Sequence, residues 1–354
     1  MRVAGPLAGI RVLDFSTLVP GPFATLMLAE AGADVIKVER PPQGDPMRMR
    51  AAEFGMLNAG KRSIAVDLKD ADACARLQPL IAQADIVIEQ FRPGVMDRLG
   101  LGAQSLMAAN PRLIYCSING YGSSGPSALK AGHDLTYTAE AGLLMQSTGS
   151  DGAPVMPATM IADIGGGAYP AVMNILLALL QRERTGCGSR IEIAMADNIQ
   201  PFLYPAFVSA YGEGHWRLPN DSIETGASPR YALYRTADNR WIAAAPVEQP
   251  FWRAFCNAVG LPDLIDAAPE EAAAVKARIS ARIAERDARA WMDVLGQSDT
   301  GCALVLTYEE AMAGKAAPSS TLPPLPIPLA PCFIADRASG ESAPRLSSDN
   351  PAWL

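Results

Sequence analysis

Histidine is scarce in this chain, two in 354 residues, and so is any metal or disulfide pattern. The six cysteines, Cys74, Cys116, Cys187, Cys256, Cys302 and Cys332, are scattered and form no Cys-x-x-Cys pair. That excludes a disulfide framework or zinc site and reads as buried or free thiols in a reducing compartment. Lysine-rich blocks are missing and the formal charge is −7, which argues against a nucleic-acid partner. No run of roughly 18 uncharged apolar residues appears, so a membrane span is not expected. The start, Met1 to Pro6, lacks the apolar core of a secretory signal. The end, Pro351-Ala352-Trp353-Leu354, is not a peroxisomal address. A cytoplasmic setting is the expectation. No Gly-x-Gly-x-x-Gly follows the first apolar strand, which leaves a dinucleotide site unsupported, and there is no internal repeat.

Hydrophobic content of 49% and charged content of 19% describe a globular chain long enough for two domains. Its first half alternates strand and helix signals. Apolar runs over 11–15, 34–39, 63–68, 85–91 and 112–118 read as strands, and segments 22–31 and 71–84 as helices. Such alternation predicts an α/β fold with a Rossmann-like parallel sheet covered on both faces. A helix over 168–182 follows from Val172, Ile175, Leu176 and Leu179 at helical spacing, stopped by Thr185-Gly186. Gly, Pro, Asn and Ser make 211–230 a linker. Beyond it, strands 231–235 and 240–245 around Ala237-Asp238-Asn239 form a hairpin, and a helix over 250–259 ends at Gly260. These signals predict a large domain over 1–198, a linker over 199–230 and a smaller α+β domain over 231–307. A return linker and C-terminal segment over 308–354, Pro-rich from 318 to 331, is expected to pack back on the large domain.

Two chemical features stand out. Arg40, Lys69, Arg92 and Arg98 each abut a strand end or its following turn, where α/β folds bind phosphorylated ligands. His133, in Gly132-His133-Asp134, precedes a helical run, and Asp163 opens what reads as the turn Asp163-Ile164-Gly165-Gly166-Gly167. Taken singly, each is as readable as a helix cap. Brought together by the fold they are an acid/base pair, because imidazole and a carboxylic acid can exchange protons near neutral pH. Met145, Met156, Met160 and Met195 surround them in sequence and suit an adaptable apolar pocket or ordinary core packing.

Several motifs in fixed order resemble the family III CoA transferases (CaiB/BaiF). They are Leu7-Ala8-Gly9-Ile10-Arg11-Val12-Leu13-Asp14, Gly32-Ala33-Asp34-Val35-Ile36-Lys37-Val38-Glu39, Arg92-Pro93-Gly94, Asn119-Gly120-Tyr121-Gly122 with Gly125-Pro126, and Arg182-Glu183-Arg184-Thr185-Gly186. The resemblance implies an acyl-CoA substrate, no separate cofactor, an intertwined homodimer and a place in lipid metabolism. It puts the CoA portion on Arg40, Val66, Asp67, Leu68, Lys69, Gln90, Phe91, Arg92, Pro93, Gly94 and Arg98, with Gly132 and Tyr137 beside the thioester. Transferases of the family use an aspartate nucleophile matching Asp163. The α-methylacyl-CoA racemases carry Gly-His-Asp, as here, and a Pro-x-Glu stretch matched by Pro246-Val247-Glu248. The resemblance therefore implies two acid/base groups, His133 and Asp163, with Glu248 beside the histidine to orient the imidazole; the backbone N–H of Asp134, at the start of a helical turn, is placed to hold the enolate oxygen. A CoA transferase with Asp163 as nucleophile and a non-catalytic acyl-CoA-binding protein are the alternative readings. The tail Ser347-Ser348-Asp349-Asn350-Pro351 departs from the pattern.

Overall fold

A computed structural model describes residues 5–70, 72–149, 151–313, 325, 327–334 and 343–347. Two compact units divide the chain, one within Met1–Ala141, Pro157–Phe202 and Ser319–Leu354, the other within Gly142–Met156 and Leu203–Pro318. Residues 142–156 thus group with the second unit, and the stretch expected as a linker carries short helical segments at Gln200–Leu203, Tyr204–Phe207 and Val208–Glu213.

The first unit is built on six parallel strands, β1 (Arg11–Phe15), β2 (Asp34–Glu39), β3 (Arg62–Ala65), β4 (Ile86–Glu89), β5 (Ile114–Asn119) and β6 (Arg190–Ala194). Their order is β3-β2-β1-β4-β5-β6, with Leu13 of β1 level with Ile36 on one side and Val87 on the other. Parallel strands need helical crossovers, so both faces are covered and the inner strands are mainly apolar. Successive side chains alternate between the faces. Val12, Ile86 and Ile114 meet Phe23, Met27, Val172 and Ile175 of helices Pro20–Glu30 and Tyr169–Thr185. Leu13, Ile36 and Val87 meet Leu77 and Leu80 of helix Ala73–Ile81 and Leu106 of helix Ala103–Ala109. Each such side chain, fully buried, contributes ~1.5–3 kcal/mol of hydrophobic stabilisation.

Two elements differ from the expectation. The strand β6 carries charged residues in its alternation, Arg190-Ile191-Glu192-Ile193-Ala194, because it is an edge strand with exposed positions. The glycine-rich stretch at Asp163 is helical, not a turn. Ile161–Ala168 has wide π geometry and runs into helix Tyr169–Thr185. Its glycines serve close packing: a Cβ at Gly166 would sit 2.5 Å from the Met195 carbonyl oxygen, and one at Gly167 3.1 Å from Pro20. Together, Ile161–Thr185 is long and apolar enough by composition to cross a membrane. In this fold Ala171, Val172, Ile175 and Ala178 are buried on the sheet, while Tyr169, Met173, Leu177 and Leu180 are exposed on its outer side.

Within the first unit, Leu325, Ile327, Leu329 and Ala343 pack against the first core, and Ser347 O accepts the Ala65 N–H at the end of β3. Most of the Pro-rich run 318–331 is outside the described residues, as is 348–351 of the tail. The second unit holds an antiparallel sheet, β7 (Ala232–Arg235), β8 (Trp241–Ala244) and β9 (Cys302–Leu304). Asn239, at φ 62°, makes the left-handed residue of the β7–β8 turn. Trp252, Phe255 and Trp291 fill the core beneath this sheet.

Candidate active site

In a doubly wound sheet, ligands bind beyond the carboxyl ends of the strands, at the point where the strand order reverses. Here that point lies between β1 and β4. A cavity of about 350 Å3 opens there, lined by Thr17, Leu18 and Pro20 after β1, Gln90 to Pro93 after β4, and Ile118 to Gly120 at the end of β5. Ala128, Lys130 to His133, Tyr137, Asp163 and Met195 complete it.

A buried ion network fixes the β1 side of the cavity. Leu18 is held at φ 63°, a costly conformation for a branched residue, with its N–H on both Asp45 carboxylate oxygens at 3.1 and 3.2 Å. Asp45 pairs with Lys37 at 2.9 Å, both side chains fully buried, and Lys37 also donates to Ser16 O at 2.6 Å. On the β4 side, Gln90 Oε1 accepts the Gly21 N–H at 3.2 Å and ties the start of helix Pro20–Glu30 to the sheet. Gly21 must lack a side chain, since a Cβ would lie 2.1 Å from that of Ser16.

Tyr137 sets the back wall. Its ring fills the space that side chains at Gly120 and Gly132 would need, with would-be Cβ atoms at 2.5 and 2.4 Å. Its hydroxyl donates to Gly132 O at 2.7 Å, and burial pushes the phenol up to about 12, so it stays neutral. His133 directly follows Gly132 and precedes helix Asp134–Glu140. Its backbone is clamped by Thr136, whose Oγ1 accepts the His133 N–H at 2.9 Å. The imidazole itself is exposed and hydrogen-bonds to none of the described residues.

Asp134 turns away from the cavity. Its Oδ1 accepts the N–H groups of Ala162 and Asp163 at 2.7 and 2.9 Å, which satisfies two otherwise unpaired donors at the start of the π segment. Its carboxylate is thereby a structural cap, while its own N–H has no acceptor among the described residues. The Asp163 carboxyl is raised to about 6, first by burial and then by the Asp134 charge, with His133 opposing. A carboxyl titrating there can give or take a proton near neutral pH.

Of the residues singled out in the sequence, His133, Asp163, Gln90, Phe91, Arg92, Pro93, Gly132 and Tyr137 line this one cavity. Gly94 lines a neighbouring one of about 210 Å3 that shares Phe91, Arg92 and Pro93. Arg40, Asp67 and Lys69 follow β2 and β3 at the same carboxyl edge, and Arg98 follows β4, but they line neither cavity. Val66 and Leu68 point instead into the core beneath the sheet. Glu248 belongs to the second unit, where it is exposed and precedes helix Gln249–Val259. Of the four methionines only Met195 lines the cavity; Met145, Met156 and Met160 are exposed. Thr17, Leu18, Pro20, Asn119, Gly120 and Lys130 are lining residues that the sequence reading did not assign. Asn119-Gly120 carried a usable signal, two small polar-turn residues at a strand's carboxyl end. Leu18 carried none.

Comparison with known proteins places the sequence and the fold. The sequence profile described as CoA-transferase family III matches residues 7–320. An alpha-methylacyl-CoA racemase of Mus musculus is 33% identical over 314 residues, covering 86% of this chain and 79% of its own. A succinate–glutarate CoA-transferase of Agrobacterium fabrum (strain C58) is 36% identical over 295 residues, covering 79% of this chain and 72% of its own. Among solved structures, the orthorhombic form of Rv3272 from M. tuberculosis superposes with a TM-score of 0.85 at 28% identity, covering 99% of both chains.

Proposed function

The chain belongs to CoA-transferase family III, and on that premise we propose that it is a racemase of 2-methylacyl-CoA thioesters. The observation that carries the reading is the pairing of His133 and Asp163 on one cavity, with Asp163 held at about 6. Inversion beside a thioester requires a proton to leave one face of the α-carbon and another to arrive on the opposite face. One of the two groups is the base and the other, protonated, is the acid; the roles exchange for the other enantiomer. The charge that develops on the thioester oxygen is met by the Asp134 N–H, which has no acceptor among the described residues. Such a donor is worth ~3 kcal/mol of barrier. The role of orienting the imidazole is assigned to Glu248 on the match of Pro246-Val247-Glu248 to the racemase pattern alone, and its carboxylate makes no hydrogen bond to the described residues. The CoA moiety extends from Phe91 and Arg92 towards Arg40, Lys69 and Arg98. No cofactor beyond the CoA of the substrate takes part.

The exposed apolar row Tyr169, Met173, Leu177 and Leu180 supports a homodimer as the working form, with a second copy covering it. A cytoplasmic location belongs to the same proposal.

Acyl transfer through an Asp163 anhydride is the second reading, favoured by the 36% identity to the succinate–glutarate transferase. The deciding experiment incubates the protein with an (R)- or (S)-2-methylacyl-CoA in deuterated buffer, with and without a carboxylate acceptor. Uptake of α-deuterium without acceptor is the racemase result. Acceptor-dependent CoA transfer with no α-deuterium overturns the proposal in favour of transfer.

A further inference from the structure

A cavity of about 390 Å3 lies entirely within the second unit, remote in sequence from His133 and Asp163. Its walls are mostly apolar, with Pro229, Trp252, Leu264, Ala272 and Val275 among them. Trp252 is fixed there, buried and donating its indole N–H to Leu264 O at 3.3 Å. One cation faces the space. The Arg230 guanidinium lies 4.8 Å over the Trp252 ring and spends one N–H on Val247 O at 3.3 Å. It is partly buried, and it forms no ion pair among the described residues, not even with Asp221 at the exposed rim.

A half-exposed guanidinium lying against apolar walls is well matched by a carboxylate or phosphate. None of the described residues forms an ion pair with it. The volume suits a small molecule, since ligand pockets run from roughly 300 Å3 upward, and the wall chemistry calls for an apolar tail on the anion. We infer that this cavity binds a small carboxylate with a short apolar chain, its head on Arg230 and its chain against Trp252, Leu264 and Val275. The ligand competes for the guanidinium that also holds the Val247 carbonyl, immediately before Glu248 and helix Gln249–Val259. Binding is therefore felt at the start of that helix. The inference stands whether the chain racemises or transfers.

Isothermal titration of the full chain with sodium hexanoate tests it, with hexan-1-ol as the uncharged control. Hexanoate should bind saturably with a Kd on the order of 1 mM. The alcohol should bind at least ~10-fold more weakly, because it cannot form a charge-assisted pair with the guanidinium. Arg230→Gln should weaken hexanoate by a similar factor, and Ala272→Leu should do so by narrowing the apolar end while leaving the guanidinium in place. Thermal unfolding checks that both variants remain folded. No saturable heat in the wild type, equal binding of acid and alcohol, or unchanged hexanoate binding in both folded variants overturns the assignment.

Discussion

The Asp134 carboxylate accepts the backbone N–H of Asp163 at 2.9 Å, so the residue after one candidate base holds the backbone of the other. Asp134 also raises the proton affinity of Asp163 through its charge. The two effects separate by substitution. Racemisation needs the His133–Asp163 pair to share one proton, so kcat/KM falls on both sides of an optimum. Its acid limb marks loss of the pair's first surplus proton. Asp134→Asn keeps an acceptor oxygen and removes the charge, so Asp163 should titrate below about 6 and the acid limb should move to lower pH. Asp134→Ala also loses the cap and should cost ~0.5–2 kcal/mol in denaturant unfolding. An unmoved acid limb in the Asn variant would remove Asp134 from any electrostatic role.

His133→Ala should reduce racemisation by ~100- to 10,000-fold, the usual contribution of a positioned acid/base group. Deuterium exchange should survive for the enantiomer whose α-hydrogen faces Asp163, because that carboxyl can remove and return a proton on its own side. Mass spectrometry of each recovered enantiomer reads this asymmetry. Symmetric exchange in the variant would contradict a division of faces.

Arg92 lines the cavity at its rim and Arg40 sits farther along the carboxyl edge. Alanine at either position should raise KM ~10-fold or more, the worth of a charge-assisted contact to a phosphate, with a smaller fall in kcat. Steady-state kinetics on one acyl-CoA decides it. If KM holds for both variants while unfolding stays cooperative, the CoA phosphates bind elsewhere.

Lys37→Met should destabilise the fold by ~3–5 kcal/mol, because it leaves the buried Asp45 charge without its partner. Asp45 also restrains Leu18 at the cavity, so activity should fall by more than the unfolded fraction accounts for. Urea titration and activity at saturating substrate, measured on the same preparation, compare the two losses.

Met173→Glu and Leu180→Glu place charges on the exposed apolar row of helix Tyr169–Thr185. Light scattering should find the wild type dimeric at micromolar concentration and the double variant shifted toward monomer. A fully active wild-type monomer would leave that row without the partner proposed for it.

Much of this architecture was visible in residue patterns. Strands β1 and β2 are short, mainly apolar runs bounded by turn residues, and their limits match the expectation. Strand β6 was hidden because its inward and outward positions alternate apolar with charged, a weak signal over five residues beside a strong helix. The triplet Gly165-Gly166-Gly167 misled in a different way. Glycine permits a turn, but it also permits backbone contact, and only the neighbouring Met195 and Pro20 reveal which use applies. The cavity wall from Gln90 to Pro93 followed from strand ends, whereas Leu18 depends on the Lys37–Asp45 pair, a contact that no local spacing encodes. Glu248 was reached through resemblance alone.

Pairing of β6 with β5 joins Asn119 to Ala194 across a chain segment that contains both His133 and Asp163. That segment is a single large loop until the edge strand docks. Closing it costs entropy that grows only slowly with length, so a long loop is tolerated here. The central β1–β4 pairing is just as non-local, since it brings Val12 level with Ile86. The two candidate bases lie on that one loop, so their mutual geometry depends on an edge strand that neither of them belongs to.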